Sequence, residues 1–370
     1  MADEQIKLYG PLNFIVGSGV LRSIGKYSLP VGKKALILTS EHSGQAAGEV
    51  IRESLDDAGI SYVGYTFSGI PSEKQARFYA DKAKEEGADF FIVAGGGRVL
   101  DTAKYAAYFA DKPILTVPTI SATNASYRRN TILYDDEGRF IVRKLNKESP
   151  LYVLADTDIL AKQPLRYLNS GIIDSLVRLY EARPYGSLYS DGLQFPFAYQ
   201  LAVVIYDYFS KHHDAVIRAF TEGGDLQTVR ETVTAIIALP GIAANYAGGV
   251  KLTGFAHPFY NQLTRVNPER TLLHGEIVGY GILVQLLLEG KPEEEFLKEY
   301  KLLQSYGFDY SLEDLGLDQG TRLKDIVHAL YTENLPKTPF LSHIKTEGEI
   351  EKAILTVDEL VRKERREHHG

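Results

Sequence analysis

The chain has 370 residues, 44% hydrophobic, 24% charged and 11% aromatic, which is globular composition. At roughly 100–200 residues per domain, one very large or two ordinary domains are expected. A formal charge of −7 argues against electrostatic capture of nucleic acid or an anionic membrane, because both need a basic footprint. Zero cysteines exclude a disulfide framework, a thiol nucleophile, thiolate zinc and iron–sulfur clusters. The opening MADEQIKLYG lacks an apolar secretory core, and no run reaches the ~18–20 apolar residues of a membrane span, so a soluble, cytoplasmic protein is expected.

Up to about Leu160, short apolar runs alternate with helical stretches. The runs Lys34–Thr39, Ser61–Phe67, Asp89–Ala94 and Pro113–Val117 read as buried strands, and Ala46–Ala58 and Ser72–Glu86 as helices between them. That alternation predicts crossover units and a parallel sheet covered on both faces. Gly17-Ser18-Gly19 reads as a turn, since the third glycine of a dinucleotide fingerprint is missing. Thr131–Tyr134 and Arg139–Val142 flank Asp135-Asp136-Glu137-Gly138 and predict a hairpin. Leu151–Leu160 holds the last strand. Beyond it helical patterns dominate: Leu168–Glu181, Gln200–Phe209, Asp214–Phe220, Leu226–Ile237, Gly275–Leu288 and Ile350–Arg365. The expectation is a doubly wound α/β, Rossmann-like domain over residues 1–160 and an all-α domain over 161–370.

Two groups of residues carry chemistry. Gly95-Gly96-Gly97 ends the strongest strand and opens a helix, where bare backbone N–H groups and the helix N-terminus suit a pyrophosphate. Asp101 and Lys104 follow on one face; the bland alternative is a tight turn with a surface ion pair. Asp174, His257 and His274 each sit among apolar residues. One carboxylate and two imidazoles suit Zn²⁺ or Fe²⁺ with a coordination position left open. Singly, each has an ordinary reading: a capping acid, or a core histidine with a hydrogen-bond partner.

The blocks GGGRVLDTAK, VPTISATNASYRRNTILYDDEGRF, SGIIDSLVRLYEAR and HGEIVGYGILVQL together resemble the glycerol dehydrogenase branch of the metal-dependent (iron-containing) alcohol dehydrogenase superfamily, in the family's order and nearly its spacing. The resemblance runs to about Gly290. It implies a dinucleotide-binding N-terminal domain, a helical C-terminal domain, an active site between them, NAD or NADP and one divalent metal, zinc or iron, as cofactors, and a homo-oligomer. The implied reaction is hydride transfer between the nicotinamide and a secondary alcohol of a small polyol. By the same resemblance the metal ligands fall on Asp174, His257 and His274, and the pyrophosphate contacts on Gly96, Gly97, Arg98 and Asp101. Thr119 and Tyr134 fall on family positions near the cofactor.

Three positions depart from the family pattern. Ser40 stands where the relatives carry the acid that holds the adenosine ribose, which removes the repulsion that excludes a 2′-phosphate, although Glu41 is adjacent. Asn124 replaces the aspartate that binds glycerol, and Arg128, beside Arg129, replaces a small residue. Together they point to a substrate with an anionic group, such as a 2-hydroxy acid or a polyol phosphate, or else to arginine ion pairs with Asp135, Asp136 or the cofactor. Tyr260 replaces a second histidine. Two alternatives stay open: a dehydroquinate-synthase-type lyase or cyclase using NAD and metal, and a non-catalytic member that has lost the chemistry.

Overall fold

A computed structural model describes residues 10–186, 193–246, 254–317 and 321–369. They form two compact units: the described residues within 10–136, 141–168 and 214–246 make the first, and those within 137–140, 169–213 and 254–369 the second.

The first unit is built on β1 (Asn13–Gly17), β2 (Lys34–Thr39), β3 (Ser61–Thr66), β4 (Phe90–Gly95), β5 (Ile114–Pro118) and β8 (Tyr152–Asp156). They pair in the order β1-β8-β5-β4-β2-β3, and every pair is parallel. The predicted hairpin, β6 (Asn130–Tyr134) and β7 (Phe140–Leu145), is a separate two-stranded sheet. The helices are α1 (Ile24–Ser28), α2 (Glu41–Asp57), α3 (Glu73–Glu85), α4 (Gly97–Ala110) and the short α5 (Thr157–Leu160).

The inner strands β2, β4 and β5 are apolar runs because both faces are covered, while the edge strands β1 and β3 stay partly exposed. Leu36, Leu38, Phe91 and Val93 pack with α3 and α4, while their neighbours Ala35, Ile37, Phe90 and Ile92 pack with α1 and α2 on the opposite face. After β2 the chain runs outward to β3, and after β4 it turns the other way to β5. The carboxyl ends of β2 and β4 are therefore the topological switch point, where open α/β sheets place their ligands. At this point α2 starts five residues before the expected Ala46. Ser40 caps it in a reciprocal pair, the Ser43 amide donating to Ser40 Oγ (3.4 Å) and the Ser40 amide to Ser43 Oγ (2.8 Å). Strand β1 is not evident from the sequence because NFIVG is a short edge strand that gains its partner only at Tyr152–Asp156.

The remaining helices are α6 (Leu165–Ala182), α7 (Gln194–Lys211), α8 (His213–Thr221), α9 (Leu226–Tyr246), α10 (Ala256–Val266), α11 (His274–Leu288), α12 (Glu293–Ser305), α13 (Arg322–Ala329) and α14 (Glu347–His369). A single division after residue 160 is not how they distribute, since residues 214–246, which hold α9 and all of α8 but its first residue, join the first unit. The physical reason is local: α9 packs on β1 and α5, and Gly241 lies so close to Tyr127 that a Cβ there would fall 2.3 Å from the ring. No described helix is long and apolar enough to cross a membrane.

One buried pair pins the segment after β5. Lys104 Nζ lies 2.8 Å from Asp101 Oδ1 and donates to the carbonyls of Ala125 (2.8 Å), Arg128 (3.2 Å) and Asn130 (2.6 Å). Asp101 Oδ2 also accepts from the Ile132 amide. Burial pushes the Asp101 carboxyl up and the Lys104 amine down, so only their mutual contact and these backbone bonds hold both charges. Replacing Lys104 by Met should lower stability by about 3–5 kcal/mol by stranding a buried carboxylate. Urea unfolding read by circular dichroism measures it.

Candidate functional site

In the second unit, Asp174, Arg178 and Glu181 lie four and three residues apart on α6, hence on one face. His257 is in the first turn of α10, and His274 opens α11. Glycines bring these helices together. A Cβ on Gly275 would lie 1.9 Å from the Ser170 carbonyl oxygen, and one on Gly281 would lie 2.6 Å from Ala256 Cα, so α11 abuts both α6 and α10 without intervening side chains. Buried Gln285 ties the three, accepting from the Phe255 amide (2.8 Å) and donating to the Tyr180 carbonyl (2.8 Å).

The result is a convergence of three donor atoms within 4.8 Å of one another, one each from Asp174, His257 and His274. Asp174 Oδ1 is 3.3 Å from His274 Nε2 and 3.5 Å from His257 Nε2. Two atoms ligating one tetrahedral ion through bonds of roughly 2.0–2.1 Å lie about 3.3–3.4 Å apart, so the spacing fits a divalent cation. The same oxygen is buried and has no hydrogen-bond partner, which is costly unless a cation completes it. Burial alone would raise the Asp174 carboxyl, but the attraction of His274, His257 and Arg178 outweighs it and holds the group well below the ordinary carboxylate range.

Glu181 fixes His257. Its Oε1 accepts from His257 Nδ1 (2.7 Å) and from the His257 amide (3.2 Å), which directs Nε2 toward Asp174. Such carboxylate–imidazole pairs orient metal-binding histidines. Burial opposes charge on both, yet each partner's charge prevails: Glu181 is held down and His257 is pushed up. A close approach makes room for this carboxylate, since a Cβ on Gly254 would lie 2.2 Å from Glu181 Cγ. Tyr260 meets the His274 ring edge-on at 4.3 Å, and its hydroxyl accepts from Arg270 (3.2 Å).

In the first unit, Gly95 ends β4 at φ 153°, and Gly96 caps α4, which starts at Gly97. A Cβ on Gly95 would lie 2.2 Å from Val99 Cγ1, and one on Gly96 would lie 2.7 Å from Ile120 Cδ1, so the turn has no room for side chains. Thr119 donates its amide to the Gly95 carbonyl (3.3 Å), and Ser43 Oγ donates to the Ala94 carbonyl (2.7 Å), joining the start of α2 to the glycine turn. Ser40, Gly96, Gly97 and Thr119 thus gather about the ends of β2, β4 and β5, with Arg98 exposed on the first turn of α4. Asp101 departs from the expected pyrophosphate contact: its carboxylate is 7% exposed and engaged by Lys104 and Ile132, because it lies more than a turn into the helix on the buried side. The bland reading of Asp101 and Lys104 as an ion pair describes them, except that the pair is buried.

Asn124 is buried, and its Nδ2 has no hydrogen-bond partner, while its carbonyl accepts from the Tyr127 amide (3.1 Å). Arg128 is half-buried, with its carbonyl on Lys104, and Tyr134, also half-buried, donates its amide to the Pro71 carbonyl (2.9 Å). Sequence reasoning missed Glu181, Arg178, Gln285 and Ser43. A glutamate two helical turns after Asp174 was the available signal for the first.

A profile of iron-containing alcohol dehydrogenases matches residues 11–157. A glycerol dehydrogenase of Pseudomonas putida is 29% identical over 316 residues, covering 84% of this chain and 86% of that protein. A glycolaldehyde reductase of Halobacterium salinarum is 28% identical over 368 residues, covering 96% and 98%. Among solved structures, glycerol dehydrogenase from Schizosaccharomyces pombe superposes with a TM-score of 0.87 at 23% identity, covering 99% of this chain and 94% of that one, which shows the shared fold. With a Rossmann-like sheet in one unit and a helical second unit carrying the Asp–His–His cluster, the chain is an enzyme of the alcohol dehydrogenase class. Over residues 11–157 it resembles the iron-containing alcohol dehydrogenases, and over most of its length the glycerol dehydrogenases.

Replacing Glu181 by Gln should weaken divalent-metal binding by about 10–100-fold by loosening His257. Competition with a chromophoric chelator measures the change.

Proposed function

We propose that the protein is a divalent-metal-dependent dehydrogenase that moves hydride between NAD(P) and a secondary alcohol of a small polyol or a related hydroxy compound. The observation that carries this reading is the buried Asp174 oxygen facing two imidazole nitrogens at ligand spacing. Asp174, His257 and His274 would hold zinc or iron, and a cation there supplies Lewis acidity that lowers the pKa of an alcohol hydroxyl. Glu181 keeps the His257 tautomer that presents Nε2. The side-chain-free turn at Gly95–Gly97 and the N-terminus of α4 suit the pyrophosphate, with Arg98 beside it. Thr119 and Tyr134 complete the cofactor contacts carried by the family likeness. The names of the glycerol dehydrogenase and glycolaldehyde reductase relatives favour a small hydroxylated substrate.

Ser40 caps α2 at the carboxyl end of β2, where the family likeness puts the acid for the adenosine ribose, so we assign acceptance of NADP as well as NAD to the missing carboxylate there. Asn124 would orient a substrate hydroxyl, and Arg128 would favour a carboxylate or phosphate on the same molecule.

A dehydrogenase assay across glycerol, other polyols, 2-hydroxy acids and glycerol phosphates, with both cofactors and several metals, tests the reading. Absorbance of the reduced cofactor should change stoichiometrically with product; a lyase would return its NAD unchanged. Asp174→Asn should abolish both turnover and metal retention, measured by elemental analysis. Ser40→Asp should raise the KM for NADPH about ten-fold or more relative to NADH, through repulsion of the 2′-phosphate.

A further inference from the structure

Arg178 is not among the residues assigned above to the cofactor or the metal, yet it stands beside the Asp174–His257 pair. Its Nη2 is 3.4 Å from His257 Nε2 and 3.7 Å from Asp174 Oδ1, and its Nη1 is 4.0 Å from Glu181 Oε2. Its Nε is buried and has no hydrogen-bond partner. The guanidinium thus leans on the ligand atoms and leaves its own donor unsatisfied. An atom so spaced lies within roughly 4 Å of any ion that Asp174 and His257 would share, whichever side it approaches from. A guanidinium stays protonated in proteins and has no lone pair to offer a metal. The arginine and the metal therefore compete for the same two groups.

We infer that Arg178 is a tethered cation that neutralises Asp174 and Glu181 in the metal-free protein and must move off the cluster for metal to bind, so that it sets the metal affinity of the site. This rests on the metal-site reading above. Without metal, Arg178 shields two buried carboxylates that would otherwise repel one another across α6. With metal, the same charge opposes a dication in a site of low exposure, where screening is weak. The arginine thus keeps the cluster assembled while empty and weakens its grip once loaded.

The test is zinc titration of the chelator-stripped full-length protein against a chromophoric competitor, for the wild type, Arg178→Gln, Arg178→Lys and Asp174→Asn. Arg178→Gln should bind zinc about ten-fold or more tightly, within the usual span of coupling between two sites. Arg178→Lys, which keeps the charge, should stay near the wild type. The melting temperature of metal-free Arg178→Gln should fall, and its rise on adding zinc should exceed that of the wild type, whereas a purely structural role would lower both states alike. Equal or weaker zinc binding by Arg178→Gln, or equally tight binding by Arg178→Lys, overturns the inference. If Arg178→Gln does not fold without metal, zinc should restore its far-ultraviolet circular dichroism, and failure to do so overturns it too. Zinc binding by Asp174→Asn at wild-type strength would instead sink the metal site itself.

Discussion

A buried carboxylate that lacks a hydrogen bond organises the helical unit. Asp174 Oδ1 has two imidazoles and a guanidinium around it, and none of these contacts completes it as a hydrogen bond. A charge so placed is expensive in a dry interior unless positive charge stays beside it. Much of the neighbourhood answers that need. Gly275 and Gly281 bring α11 onto α6 and α10, Gln285 stitches the three helices, and Glu181 turns His257 so that its Nε2 faces the acid. The same requirement makes the site suitable for a divalent cation.

In the first unit the proposed cofactor site would rest on helix starts and a glycine turn, with Arg98 exposed beside them. The parallel sheet reverses its winding between β2 and β4, so two helices, α2 and α4, begin side by side. Their amide dipoles converge there, and the glycine turn removes the side chains that would keep a phosphate away. Ser43 links the two helix starts through the Ala94 carbonyl. Below them the Lys104–Asp101 pair, with three backbone carbonyls on its ammonium, fixes the course of the segment that carries Asn124 and Arg128.

Legibility differed from residue to residue for physical reasons. Strands β2, β4 and β5 could be read because burial on both faces forces continuous apolar runs, as in FFIVA, whereas the edge strand β3 shows only in its aromatic and β-branched residues. The edge strand β1 could not, because five residues gain strand character only from a partner about 140 positions away. Helix α9 has an ordinary amphipathic sequence, and nothing in it announces that Gly241 will receive the Tyr127 ring in the first unit. Asp101 carries a pattern compatible with a phosphate contact, and only its burial against Lys104 reveals the structural pair.

The sequence by itself determined the alternation of strand and helix, the glycine turn, and three separated residues whose chemistry suits one metal, because periodicity and residue type are local properties. Tertiary structure decided that Asp174, His257 and His274 meet at ligand spacing, that Glu181 orients one of them, and that Arg178 stands among them. Those are distances across as many as 100 residues of chain, set by glycine-mediated helix contacts that no local pattern encodes.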